Sequence, residues 1–284
     1  MRNLLMILTL SLFSFNIVLG NSEPYPKRYI RDCDVLFKKH IVRSINLNKF
    51  NNEEVFGRGN PLVSVLFDAV TRGELIPYKN GHLKEEMSSV EFWEKLKVPV
   101  ENMSGVNYDW NSGWLTEEDK EWAKGWEKEW GKQEQMAVEE DFVYEDQFIE
   151  ASQIFRIEFG EDLIVDKVRG DIYFDPKYIT IFIPAEINPR GIHEPIASFS
   201  FYDCARIFRN DERAYSDNPL MNGRDINFTD VFLLKLYTSY IVKLGRIDDL
   251  YFDQMYSRPI DAFMASKKAE TKVLEYLHKL FNPL

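Results

Sequence analysis

Apolar positions recur at helical spacing at several places along the chain. Over residues 34–47 they fall at Val35, Leu36, Ile41, Val42 and Ile45, with Asp34 placed to cap. The spacing predicts an amphipathic helix there. Asn60-Pro61 is a second helix start, because Asn can accept orphan amides and Pro suits the first turn. Leu62, Val65, Leu66, Ala69 and Val70 continue it, and Gly73 is placed to close it in a left-handed cap. A short strand over 75–78 and a weak helix over 85–93 follow. Residues 99–113, rich in Asn and Gly, read as a loop. Thr116 with Asp119 resembles a capping box and opens a long helix reaching about residue 140.

The centre of the chain changes period. Phe155, Ile157 and Phe159 alternate with Arg156 and Glu158. Short strands are predicted over 154–159, 163–168, 172–174 and 179–184, separated by turn signals at Gly160-Glu161, Arg169-Gly170-Asp171 and Asp175-Pro176. No helix fits between them, so the strands form an antiparallel meander. Beyond it, a helix is expected from Ser200 onward. Another, capped by Asn227, carries apolar residues from Val231 to Leu244 and ends at Gly245. A last helix covers about 261–281. The class is α+β: helices flanking a small antiparallel sheet, with a long acidic Trp-bearing helix.

The N-terminus follows another rule. Arg2 precedes an uncharged run over 4–19, and Val18 and Gly20 are small enough for the exit positions of a signal-peptidase site. Residues 1–20 are expected to be a cleaved export signal, since a membrane span needs roughly 20 apolar residues and this run is broken by Ser11, Ser14 and Asn16. Residues 21–284 then read as one domain with a variable, acidic, Trp-rich segment at about 100–150.

Charge narrows the function classes. The chain carries 35 basic and 46 acidic side chains, a net of −11, which disfavours nucleic acid and anionic membrane surfaces. Residues 117–150 hold thirteen acidic residues against four lysines, so most of the excess sits in one segment. Export permits a disulfide between Cys33 and Cys204, with two free thiols as the alternative. His40, His82, His193 and His278 lack zinc-ligand spacing, and no nucleophile elbow, phosphate loop or dinucleotide turn is present. Glu158, Glu161, Asp162, Asp166 and Asp171 are the remaining enzyme-like feature, but acidic turns are common and nothing marks a catalytic pair. No catalytic residue, metal site or cofactor is expected.

Five of the six tryptophans lie between Trp110 and Trp130. Trp122, Trp126 and Trp130 are spaced to form one stripe on the expected helix, with Lys120, Lys124, Lys128 and Lys132 on roughly the opposite face. The stripe packs on the protein's own core, or docks a partner through residues favoured at interface hot spots, or stacks on sugars. A docking role is the preferred functional reading, with Phe232 and Tyr237 as further partner-binding candidates. A periplasmic carbohydrate- or peptidoglycan-binding module using the same tryptophans is the alternative.

Four stretches together resemble the gliding-motility protein GldN family, called PorN elsewhere, of the type IX secretion system of Bacteroidota. Residues 34–47, ending in Ser44-Ile45-Asn46-Leu47, are similar to its first helix. Residues 61–78 resemble its second helix, glycine turn and strand. Residues 154–184, with Glu161-Asp162 followed by Asp166-Lys167, resemble its strand turn, although Leu163 replaces the usual Trp. Residues 218–242 resemble its helix running into a Ser-x-Tyr-Ile pattern. The resemblance implies a periplasmic ring component that assembles with itself and with an outer-membrane lipoprotein of the GldK/PorK type. It also implies contact with inner-membrane motor components of the GldL/GldM type. The family brings no catalytic residues.

Overall fold

The computed structural model describes residues 23–97 and 148–281, apart from 189, 220 and 222. The expected export signal and the Trp122, Trp126 and Trp130 stripe lie outside the described residues. A five-stranded antiparallel sheet organises the chain in the order β4-β3-β2-β1-β7. Its strands are β1 (Val35–Asn46), β2 (Arg156–Asp166), β3 (Asp171–Ile183), β4 (Glu194–Ser200) and β7 (Ser239–Gly245). A small hairpin pairs β5 (Tyr215–Asp217) with β6 (Asp225–Asn227). The helices are α1 (Phe50–Phe56), α2 (Pro61–Thr71), α3 (Ser89–Lys95), α4 (Phe201–Asn210), α5 (Phe228–Leu234), α6 (Phe252–Met255) and α7 (Pro259–Phe281). The α+β class expected from the sequence is therefore the class observed.

One expected helix is a strand, and another gives way to one. Residues 35–46 of the first form β1, with β2 on one side and β7 on the other. Over so short a stretch the apolar positions fit either period, and β-branched Val35, Ile41, Val42 and Ile45 favour extended backbone. The helix expected from Val231 to Leu244 stops at Leu234, where Lys235 adopts the left-handed conformation at φ 54°. The Asn52 side chain then grips the next turn, donating to Thr238 O (2.9 Å) and accepting from Thr238 N (2.7 Å), and the chain enters β7. That clamp joins residues far apart in sequence, so no local pattern announces it.

The meander is longer-stranded than its turn signals suggest. Gly160-Glu161 and Asp175-Pro176 are not turns but lie inside β2 and β3, beside a register shift. Gly160 is required there because a Cβ would sit 2.3 Å from the Tyr178 ring. The turn at 169–171 is as expected, with Gly170 at φ 62° and Asp166 accepting from Val168 N and Arg169 N. Helix α2 begins and ends where the pattern places it. Its start is capped by the Asn60 carbonyl, however, because the Asn60 amide donates to Ser152 O at 2.9 Å. The strand expected at 75–78 reduces to Tyr78 bridging Ser198, and the weak helix moves to α3, capped by Ser88.

The sheet has two unlike faces, because successive side chains point to opposite sides. On one, Ile45, Ile157, Phe159, Ile179, Ile181 and Phe199 pack with α1–α5 in the main core. Further along the strands, Ile41, Leu163 and Ile241 meet Ala269 and Val273 of α7 in a second, smaller core. The opposite face carries buried polar groups: His40, Ser44, Glu158, Asp162, Thr180 and Ser198.

Candidate interaction surface

Helix α7 is seated by a narrow stripe. Ser266, Ala269 and Val273 are buried, and Tyr276 closes on Phe37 with ring centroids 5.1 Å apart. A 23-residue helix presents more surface than that stripe uses. Ile260 (59%), Phe263 (53%), Met264 (60%) and Leu274 (64%) stay exposed, as do Met255 and Tyr256 on and beside α6. Pro259 opens α7, where its missing N–H costs no hydrogen bond.

Between α6, α7 and the edge strand β7 runs a groove of about 450 Å³, lined by Tyr240, Val242, Phe252, Tyr256 and Phe263 among others. The buried Ser266 hydroxyl lies in its wall with no partner among the described residues. The two sheet edges are treated differently. The outer edge of β4 is covered by Tyr78, which exchanges two 2.8 Å backbone bonds with Ser198, and Pro195 removes a donor. The edge of β7 carries a bulge at Val242 and borders the apolar groove. Exposed apolar side chains on α6 and α7 beside a sheet edge make this the candidate interaction surface.

Phe232 and Tyr237 are not part of that surface. Phe232 is 1% exposed and stacks among Phe56, Phe159 and Phe201 at centroid distances of 5.3, 4.9 and 5.7 Å. Tyr237 is buried beside it, and burial pushes its phenol well above the usual range. Both belong to the core of this fold, which leaves them no area to offer a partner. The disulfide that export permits is not formed: Cys33 is exposed on the turn before β1, Cys204 is buried within α4, and both are free.

The acidic cluster is brought together, but as counter-charges. Glu161, 2% exposed, accepts from Arg43 Nε at 2.8 Å and pairs with Lys235, whose Nζ also sits 3.8 Å above the Phe174 ring. Burial pulls the Lys235 ammonium down to about 8 against the opposing pull of Glu161. Asp162 binds His40 Nδ1 and Lys38 Nζ, each at 2.8 Å. Burial works to raise its carboxyl, but His40 and Lys38 outweigh it and hold it low. Asp166 caps the turn at 168–169, and Asp171 bonds Arg28 at 2.8 Å, which holds its carboxyl low. Among the described residues no cluster of His, Cys, Asp and Glu has the makings of a metal site. Sequence reasoning missed the surface on α7. Its signal was present in Ile260, Phe263 and Met264, which exceed what a one-sided helix can bury.

A family model described as gliding motility associated protein GldN matches residues 30–282. The chain belongs to the GldN family. Membership makes it a component of the gliding-motility and type IX secretion machinery. A comparison with curated proteins returns no match. No helix among the described residues is long and apolar enough to cross a membrane.

Proposed function

We propose that this GldN-family chain is a non-catalytic structural subunit, exported by its N-terminal signal, that builds a periplasmic ring. In this reading it assembles with further copies of itself and with an outer-membrane lipoprotein of the GldK/PorK type. The ring meets inner-membrane motor components of the GldL/GldM type. The observation that carries the proposal is the apolar surface left on α6 and α7 after both cores are filled. Interfaces of assembled subunits are built from such surplus apolar area, with aromatic anchors at their centre. The acidic segment carrying Trp122, Trp126 and Trp130 is a second candidate contact, since aromatic side chains are favoured anchors and its charge steers a basic partner.

The test is native co-purification from detergent-solubilised outer membrane. A variant with Ile260→Ser, Phe263→Ser and Met264→Ser is expected to lose the lipoprotein and the high-mass species while its melting temperature stays near wild type. A second variant with Trp122, Trp126 and Trp130 all changed to Ala reports on the other surface. Full assembly by both variants would overturn the proposal.

A further inference from the structure

The polar face of the sheet has an order that folding alone does not require. Ser44 lies opposite Glu158, Glu158 opposite Thr180, and Thr180 opposite Ser198, one lateral row across four strands. All four are buried. Burying hydroxyls and a carboxyl in place of apolar side chains costs free energy that the fold must recover elsewhere. Beside the row lies a cavity of about 600 Å³, bounded by residues 79–81, by Ala185 and residues 191–193, and by Tyr251, Asp253 and Gln254. That size is within the range of small-molecule sites.

The groups around the cavity are of two kinds. Several are already satisfied. Thr180 Oγ1 and Ser198 Oγ are 2.7 Å apart, Tyr251 donates to Glu158 at 3.1 Å, and Lys79 lies 3.3 Å from Glu91. Two are donors with capacity to spare. Arg156 stacks on Phe182 at 5.7 Å, and its buried Nε has no acceptor among the described residues. Its ion pair with Glu158 is loose, 3.7 Å from Nη2 to Oε1, longer than a hydrogen bond. His193 accepts the Ala185 N–H at Nδ1 (3.0 Å), which places its own ring proton on Nε2. Burial, helped by Arg156, lowers His193 and favours this neutral form.

We infer that this cavity binds a small ligand through a carboxylate, received by Arg156 and His193 above the Thr180–Ser198 hydroxyl pair. The Arg156 side chain is 19% exposed and lines the cavity, and a guanidinium suits a carboxylate because its planar fork matches the two oxygens. Near neutral pH the neighbouring Glu158, raised to about 7 by burial, leaves much of that positive charge uncompensated. Asp253, also in the lining, suits the cationic end of a short zwitterion.

A carboxylate of this size ends a peptide or belongs to a small organic acid, and calorimetric titration of the full chain separates the two. The probes are the dipeptide Ala-Ala, the same dipeptide with an amidated C-terminus, and succinate. One of the two acids is expected to bind, and the amide to bind about tenfold more weakly than the free dipeptide, the loss of one charge-assisted hydrogen bond. Preference for Ala-Ala identifies a peptide end, and preference for succinate an organic acid. Arg156→Gln is expected to weaken the preferred acid about tenfold or more, and Arg156→Lys less. His193→Gln, in the partly exposed rim, decides the matter if Arg156→Gln fails to fold. Absence of binding by either acid at millimolar concentration, equal binding of acid and amide, or unchanged affinity in the folded variants would overturn the inference.

Discussion

Glu158 is 3% exposed, and burial raises its carboxyl from 4.5 to about 7. The groups facing it are Arg156 and Tyr251, with Asp253, Tyr178 and Lys243 nearby. Between those two pKa values the folded protein holds a proton that the unfolded chain has released. Stability therefore falls as pH rises through this window, by up to about 3 kcal/mol from this group alone. Glu158→Gln keeps an acceptor for Tyr251 and is expected to remove that slope. Urea unfolding at pH 5 and pH 8 checks it, and an unchanged slope in the variant would refute the assignment. Two glycines make a second comparison. Gly160→Ala drives a Cβ to 2.3 Å from the Tyr178 ring and should cost roughly 3 kcal/mol through overpacking. Gly170→Ala meets nothing within 4 Å and should cost only the left-handed strain, about 1 kcal/mol. Equal losses in denaturant midpoint would show that the ring contact is not the cause.

Strands β1, β2 and the residue ending α5 are tied by charge as well as by backbone. Glu161 on β2 serves both Arg43 on β1 and Lys235 after α5. Glu161→Gln would leave two partly buried cations without their shared counter-charge, and a loss of about 2–3 kcal/mol is expected in chemical denaturation. A loss below 1 kcal/mol would mean that solvent relieves them. Near α3, Lys97 pairs antiparallel with Phe148, and Ile149 N donates to Leu96 O at 2.8 Å. The chain therefore leaves and re-enters at points about one strand spacing, roughly 4.8 Å, apart. Replacing 98–147 by a short hairpin turn is expected to keep the melting temperature within a few degrees. Failure of that chain to fold would assign the segment to the core.

Across the molecule, apolar residues form two cores on one side of the sheet, a polar cavity lies on the other, and an apolar surface borders one edge. The first accounts for stability, and the last is the surface proposed for assembly. Because α7 is held by the smaller core, loosening that core should act on assembly before global stability. Val273→Ala is expected to lower the unfolding midpoint by the equivalent of roughly 1–2 kcal/mol and to weaken oligomer formation more than that loss implies. Assembly unaffected in this variant would separate α7 from the contact. The sequence made parts of this legible. Pro61, Gly73, Gly170 and the apolar repeat of α7 mark their elements by local chemistry, and the order of motifs marked the family. Phe232 and Tyr237 misled, since an aromatic side chain reads alike whether it fills a core or faces a partner.

Local pattern determined the α+β class, the helices α2 and α7, the turn at 169–171 and the family. Each depends on neighbours within a few residues, where propensity and capping act directly. Tertiary contacts decided that 35–46 and 239–245 are strands, that Gly160 lies mid-strand, that Cys33 and Cys204 stay apart, and that a polar row faces a cavity. Those outcomes rest on contacts beyond the reach of local pattern, some of them between residues more than a hundred positions apart, such as Ser44 with Glu158 or Asn52 with Thr238. A short apolar stretch fits both periods, and only the partner laid beside it selects one.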